Sequence, residues 1–223
     1  MTTPKAVTIA IEGTAPVSGL WQAPSRPLAC FVLAHGAGAG MTHKTMAAIA
    51  DGLAERDIAT LRYQFPYMER GSKRPDSPAV AHAAVRAAAA EAGGRSPKLP
   101  LFAGGKSFGG RMTSQAQALA PLPGVRGLVF FGYPLHPSGK PSVERAAHLT
   151  DVKVPMLFLQ GSRDTLAEVD LLRPVVAGLG KRVTLTLFAN ADHSFHVPVK
   201  TGRTDANVLA EILDTAAAWM AAR

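Results

Sequence analysis

Short apolar runs alternate with longer helical stretches along the 223-residue chain. That alternation predicts a mostly parallel sheet with helices on both faces. Ala6 to Ile11 alternates apolar and polar residues as an edge or antiparallel strand does, whereas Cys30-Phe31-Val32-Leu33-Ala34 is continuously apolar and reads as a buried strand. Helical spacing follows from Thr42 to Glu55, and Thr60 to Tyr63 reads as the next strand. A Pro- and Arg-rich stretch from Phe65 to Pro78 is expected to be a long loop. The Ala-rich segment Val80 to Ala92 is a strong helix former that Gly93-Gly94 is expected to stop.

Leu99 to Ala103 then reads as a strand, Phe108 to Leu119 as a helix, and Val125–Phe131, Pro155–Gln160 and Val183–Phe188 as further strands. Asn207 to Met220 closes the pattern as a helix with Val208, Ile212, Ala216 and Trp219 on one stripe. With neither an internal repeat nor a linker-like stretch, residues 1–223 are expected to form one α/β domain. In open parallel sheets ligands bind beyond the carboxyl ends of the strands, so the chemistry is expected in the loops there.

One such turn reads Gly105-Lys106-Ser107-Phe108-Gly109, between a strand and a helix. Gly-x-Ser-x-Gly at such a turn holds a serine with its hydroxyl aimed out of the sheet, and side chains at either glycine would collide with neighbouring backbone. The following helix points its N–H groups at the serine, where an oxyanion develops. A Walker phosphate loop fails, because its first glycine would fall on Leu101. A serine hydroxyl needs a base, and the base an orienting carboxylate. Asp164, after the strand ending at Gln160, and His193, after the strand ending at Phe188, complete the order Ser, Asp, His. Asp192 is a rival acid, disfavoured by its adjacency to His193.

The run His35-Gly36-Ala37-Gly38-Ala39-Gly40 can present backbone N–H groups to the serine, and Ala37 and Phe108 are the expected oxyanion donors. Its spacing does not match the dinucleotide fingerprint Gly-x-Gly-x-x-Gly.

These segments, with Gly132-Tyr133-Pro134-Leu135-His136-Pro137 and Gly161-Ser162-Arg163-Asp164, resemble the small bacterial α/β-hydrolases akin to dienelactone hydrolase, and more narrowly the Tex30- and KANSL3-like group. The resemblance implies the α/β-hydrolase fold, with Ser107 as nucleophile, Asp164 as acid and His193 as base. It implies a serine hydrolase of the carboxylesterase or thioesterase kind, working through an acyl-enzyme on a small-molecule ester. Acyl transfer and peptide cleavage, which use the same triad, are alternative readings, and so is a non-catalytic binding or scaffold protein with a retained hydrolase fold, because some members of the narrower group are complex components. True dienelactone hydrolases carry a cysteine where Ser107 stands.

The stretch from Gly132 to Val152 is too short for a large helical lid, so an open site is expected. Its walls are expected from Tyr133, Pro134, Leu135, His136 and the loop from Phe65 to Pro75, with His35, Gly36, Lys106 and Tyr67 as pocket contacts and His43 beside them. Lys106, Arg111, Lys140 and Arg163 are placed near the mouth, either to attract anionic substrates or as merely solvated charges.

Composition changes this picture little. Hydrophobic residues at 47% and charged residues at 18% suit a globular core. The net charge of +8 raises nucleic-acid binding, but the basic residues are scattered without a recognition motif, and no nucleic-acid partner is expected. The single cysteine, Cys30, reads as a packing residue and excludes an intrachain disulfide. No secretory or membrane-spanning pattern is present, so a cytoplasmic protein is expected. No cofactor is called for. His193-x-x-His196 lacks a third ligand of suitable spacing, so no metal is expected.

Overall fold

The computed structural model describes residues 2–223. Eight strands form one sheet in the order β1-β2-β4-β3-β5-β6-β7-β8. They are β1 (Lys5–Ile9), β2 (Val17–Gln22), β3 (Ala29–Ala34), β4 (Ile58–Tyr63), β5 (Leu101–Lys106), β6 (Val125–Phe131), β7 (Met156–Gly161) and β8 (Val183–Phe188). The six from β4 to β8 across the sheet pair in parallel, and only β2 runs against them.

The continuous apolar runs form the middle of this sheet. Along β3, Ala29, Phe31 and Leu33 point to one face while Cys30, Val32 and Ala34 point to the other. Helices α1 (Lys44–Ala54) and α6 (Asp205–Ala221) cover the first face, where Met46, Ile49, Ile212 and Trp219 pack on Phe31 and Phe102. Helices α3 (Pro78–Arg95), α4 (Phe108–Leu119) and α5 (Val169–Gly178) are on the second, with Val85, Ala88 and Leu172 in its core. This is the α/β-hydrolase fold, with no lid among the described residues.

Some elements differ from the sequence pattern. Strand β2 carries Gly19, which breaks the apolar alternation; a Cβ there would come 2.8 Å from Val7 Cγ2, so the close approach of β1 requires glycine. Helix α3 does not stop at Gly93-Gly94 but ends at Arg95, with the Ser96 hydroxyl donating to Ala92 O. The Ala face already buried against the sheet outweighs the roughly 1 kcal/mol that each glycine costs a helix. The loop after β4 contains a short helix, α2 (Pro66–Glu69), held to β2 where Glu69 accepts from the Ser18 N–H and hydroxyl. A 3₁₀ segment (Glu144–Asp151) follows β6, and α5 forms despite an internal Pro174. Cys30 is fully buried, as expected, and burial raises its thiol to about 11.

Candidate active site

Strand β5 delivers Ser107 at its carboxyl end. The residue sits at φ 51° and ψ −116°, a conformation disfavoured for any side chain, immediately before α4. The flanking glycines explain how the turn fits. A Cβ on Gly105 would lie 2.2 Å from Ala34 O, and one on Gly109 2.5 Å from the same atom.

Two neighbouring strand ends meet this serine. Ser107 Oγ lies 2.8 Å from His193 Nε2, and His193 Nδ1 lies 2.6 Å from Asp164 Oδ2. Because the carboxylate can only accept, Nδ1 carries the proton and Nε2 accepts from the serine. Asp164 is buried and held on both oxygens. Gln160 Nε2 donates to Oδ2 at 2.5 Å, and the Leu166 N–H donates to Oδ1 at 2.8 Å. Gln160 in turn accepts from the Tyr133 N–H, so this β7 residue ties the acid to the end of β6. Asp192 faces elsewhere: its Oδ1 accepts from the Ser194 and His196 N–H groups within its own turn. His196 turns away to pair with Asp205 on the surface.

The run from His35 to Met41 is fastened to residues 64–67 by three hydrogen bonds. The Phe65 N–H donates to His35 Nε2, the Gly38 N–H to Tyr67 Oη, and the Met41 N–H to Gln64 Oε1. His35 Nδ1 therefore carries the ring proton and donates to Gly36 O. Burial lowers its pKa to about 4, so the ring is neutral near pH 7. Gly38 and Ala39 have other partners, whereas among the described residues no acceptor takes the Ala37 N–H. Phe108 opens α4, so its N–H has no acceptor within the helix. A Cβ on Gly36 would lie 3.9 Å from Ser107 Cβ, which places this run beside the serine.

Two cavities meet at Ser107 and share Ala37 and Leu166. One of about 280 Å³ is lined by Gly36, His43, Met46, Lys106 and His193. The other, of about 400 Å³, is lined by Phe108, Arg111, Pro134, Arg145 and Asp76.

Several expected wall residues lie behind the wall instead. Tyr133 is buried, its ring on Phe130 and Phe158 and its hydroxyl donating to Arg145 O. His136 is buried between Pro137 O and Glu168, and Leu135 is also buried. His35 and Tyr67 brace the loop rather than face the cavity, because the backbone N–H groups around them claim their polar atoms. Lys140 and Arg163 are exposed and line neither cavity, whereas Arg111 does. Gly36, Lys106, Pro134 and, from the loop before α3, Pro75 line these cavities. Gln160 and Arg145 were not anticipated. A polar residue inside an otherwise apolar strand was the available signal for Gln160, and the 3₁₀ segment gave none for Arg145.

Among the described residues no helix is long and apolar enough to cross a membrane.

Comparison with solved structures gives the same architecture. A dienelactone hydrolase from Anabaena variabilis superposes with a TM-score of 0.80 at 20% identity, covering 98% of this chain and 96% of that one. A serine hydrolase without a lid from Xanthomonas campestris gives 0.76 at 19% identity, covering 97% and 95%. A Pyrococcus furiosus esterase gives 0.72 at 17% identity, covering 96% and 91%. At these identities the likeness is one of fold. The sequence model of the alpha/beta hydrolase domain, however, matches residues 27–221, from just before β3 to the end of α6, and the chain belongs to that family.

Proposed function

We propose that this hydrolase cleaves a carboxylic ester or thioester of a small molecule through Ser107, His193 and Asp164. The observation that carries the reading is the unbroken line from Ser107 Oγ through the His193 ring to Asp164, with contacts of 2.8 and 2.6 Å. His193 Nε2 takes the Ser107 proton as Oγ attacks the carbonyl carbon, and Asp164 stabilises the imidazolium that forms. Negative charge moves onto the carbonyl oxygen, where the N–H groups of Ala37 and Phe108 receive it. The imidazolium gives its proton to the leaving oxygen or sulfur. Water, deprotonated by the same ring, then releases the acid from Ser107.

The loop bonds to His35, Tyr67 and Gln64 hold the Ala37 N–H in place before substrate arrives, so little reorganisation is needed as charge develops. The buried Asp164, held by Gln160 and Leu166, fixes the tautomer of His193.

Labelling with a fluorophosphonate and mass mapping of the modified peptide tests this reading. An adduct on Ser107, absent in Ser107→Ala and much slower to form in His193→Ala, is expected. Folded protein that takes no label would overturn it.

A further inference from the structure

We propose that the cavity of about 400 Å³ beside Ser107 is the acyl subsite and that it takes an acyl chain ending in a carboxylate. The inference rests on Ser107 and His193 acting as described above. The imidazolium must reach the leaving atom, and His193 lines only the smaller cavity, so the leaving alcohol or thiol belongs there. The acyl chain then extends the other way, past Phe108 towards Arg111 and Arg145.

These two guanidinium groups are placed for an anion. Arg111 lies one turn along α4 from the serine, its N–H donating to Ser107 O. Helical side chains lean towards the N-terminal turn, which aims Arg111 back at the nucleophile. Its Nε is buried without a hydrogen-bond partner. Arg145 is anchored through its carbonyl by the Tyr133 hydroxyl and is close enough for its charge to weigh against that of Arg111. Among the described residues neither guanidinium has a carboxylate partner. The one acid lining the cavity, Asp76, is engaged by Arg70 through Oδ1, while its Oδ2 is buried without a partner.

Two like charges held together and partly desolvated are unfavourable until an anion joins them. A carboxylate suits the planar fork of a guanidinium, with two parallel N–H···O bonds. The charge belongs at the far end of the chain, since the reacting carbonyl must stay at Ser107. The substrate class is therefore a half-ester or half-thioester of a short dicarboxylic acid.

Two measurements test this. The first compares kcat/KM for monomethyl glutarate and for methyl pentanoate. The ratio is expected to favour the anionic ester at least tenfold and to fall at least tenfold in Arg111→Met and Arg145→Met. The second is calorimetric titration of glutarate and of uncharged pentanamide into wild type and the same variants, checked for folding by thermal melting. Glutarate should bind wild type and lose at least tenfold in affinity in either variant, and the uncharged pentanamide should bind none of them detectably. Glutarate binding no better than pentanamide, or binding the variants as tightly as wild type, would overturn the subsite. Glutarate binding that depends on both arginines in a protein that takes no fluorophosphonate would leave the anion site standing and remove the catalytic reading. Ready hydrolysis of neutral esters with no anionic preference would do the reverse.

Discussion

Lys106 Nζ donates to the backbone carbonyl of His193 across 2.5 Å, joining the residue before the proposed nucleophile to the residue proposed to activate it. The ammonium lies 5.2 Å from the centre of the Phe195 ring, and Gly132 leaves it room, since a Cβ there would stand 3.0 Å from Nζ. Burial lowers its pKa from 10.5 to about 8, opposed by the nearby carboxylates of Asp164 and Asp192.

Turnover should therefore decline as pH rises through about 8, when the ammonium loses its charge and its bond to His193 O weakens. Unfolding does not explain such a loss. Between about 8 and 10.5 the unfolded chain binds more protons at this lysine, so its contribution to stability increases with pH. Lys106→Met should lose on the order of tenfold in kcat and lose that alkaline limb, while Lys106→Arg recovers part of the rate. A pH profile of kcat for the three proteins decides it; an unchanged alkaline limb in Lys106→Met would sink the account.

The elbow should not tolerate a methyl group. In Gly105→Ala the new carbon would meet Ala34 O at 2.2 Å, and the obstacle is backbone rather than a movable side-chain end. Strand β3 or the turn must shift, at about 2 kcal/mol or more. A lower melting temperature with at least a tenfold slower fluorophosphonate reaction is expected. A Gly105→Ala protein that melts and labels like wild type would contradict the steric account.

How much of this was legible without coordinates follows the physics of each element. Strands β3, β6 and β7 announce themselves as largely apolar runs, and each residue of the proposed triad follows a strand, although β8, which precedes His193, alternates Thr184 and Thr186 with apolar residues. Strand β2 hides behind Gly19, and α5 behind Pro174, because their burial against neighbours is decided by tertiary packing. The pocket walls were the least legible. Sequence places Tyr133, His136 and Tyr67 at the correct edge of the sheet, but which way a turn aims its side chains depends on distant acceptors. Tyr133 finds Arg145 O, and Tyr67 finds the Gly38 N–H. Arg145 reaches the cavity from a short 3₁₀ segment that buries only Ala146 and Leu149.

Tyr67 tests the loop brace. Tyr67→Phe keeps the ring against Phe65 and Phe108 but removes the acceptor for the Gly38 N–H, the residue after the proposed oxyanion donor Ala37. A single lost hydrogen bond costs about 1 kcal/mol of stability. The larger effect is expected on kcat, a fall of roughly tenfold with KM within about twofold, because the oxyanion site is needed most in the transition state. A KM effect with kcat preserved would show that the loop serves ground-state binding instead.

His35 makes the same loop sensitive to acid. Its ring is buried and neutral, with Nε2 accepting from Phe65 and Nδ1 donating to Gly36, so a second proton would have no acceptor. Its pKa falls from 6.5 to about 4 on folding. Between those values the unfolded chain binds more protons than the folded one, so stability declines as pH drops through the window. The loss approaches about 3 kcal/mol once the pH is below both values. His148, also lowered to about 4 by burial, adds to the same acid limb. His35→Gln should be less stable than wild type at pH 7.5 by about 1 to 2 kcal/mol, since it cannot reproduce both ring bonds. Its stability should nevertheless change less between pH 6.5 and 4.5. Denaturant unfolding at the three pH values checks this, and parallel curves for the two proteins would place the acid sensitivity elsewhere.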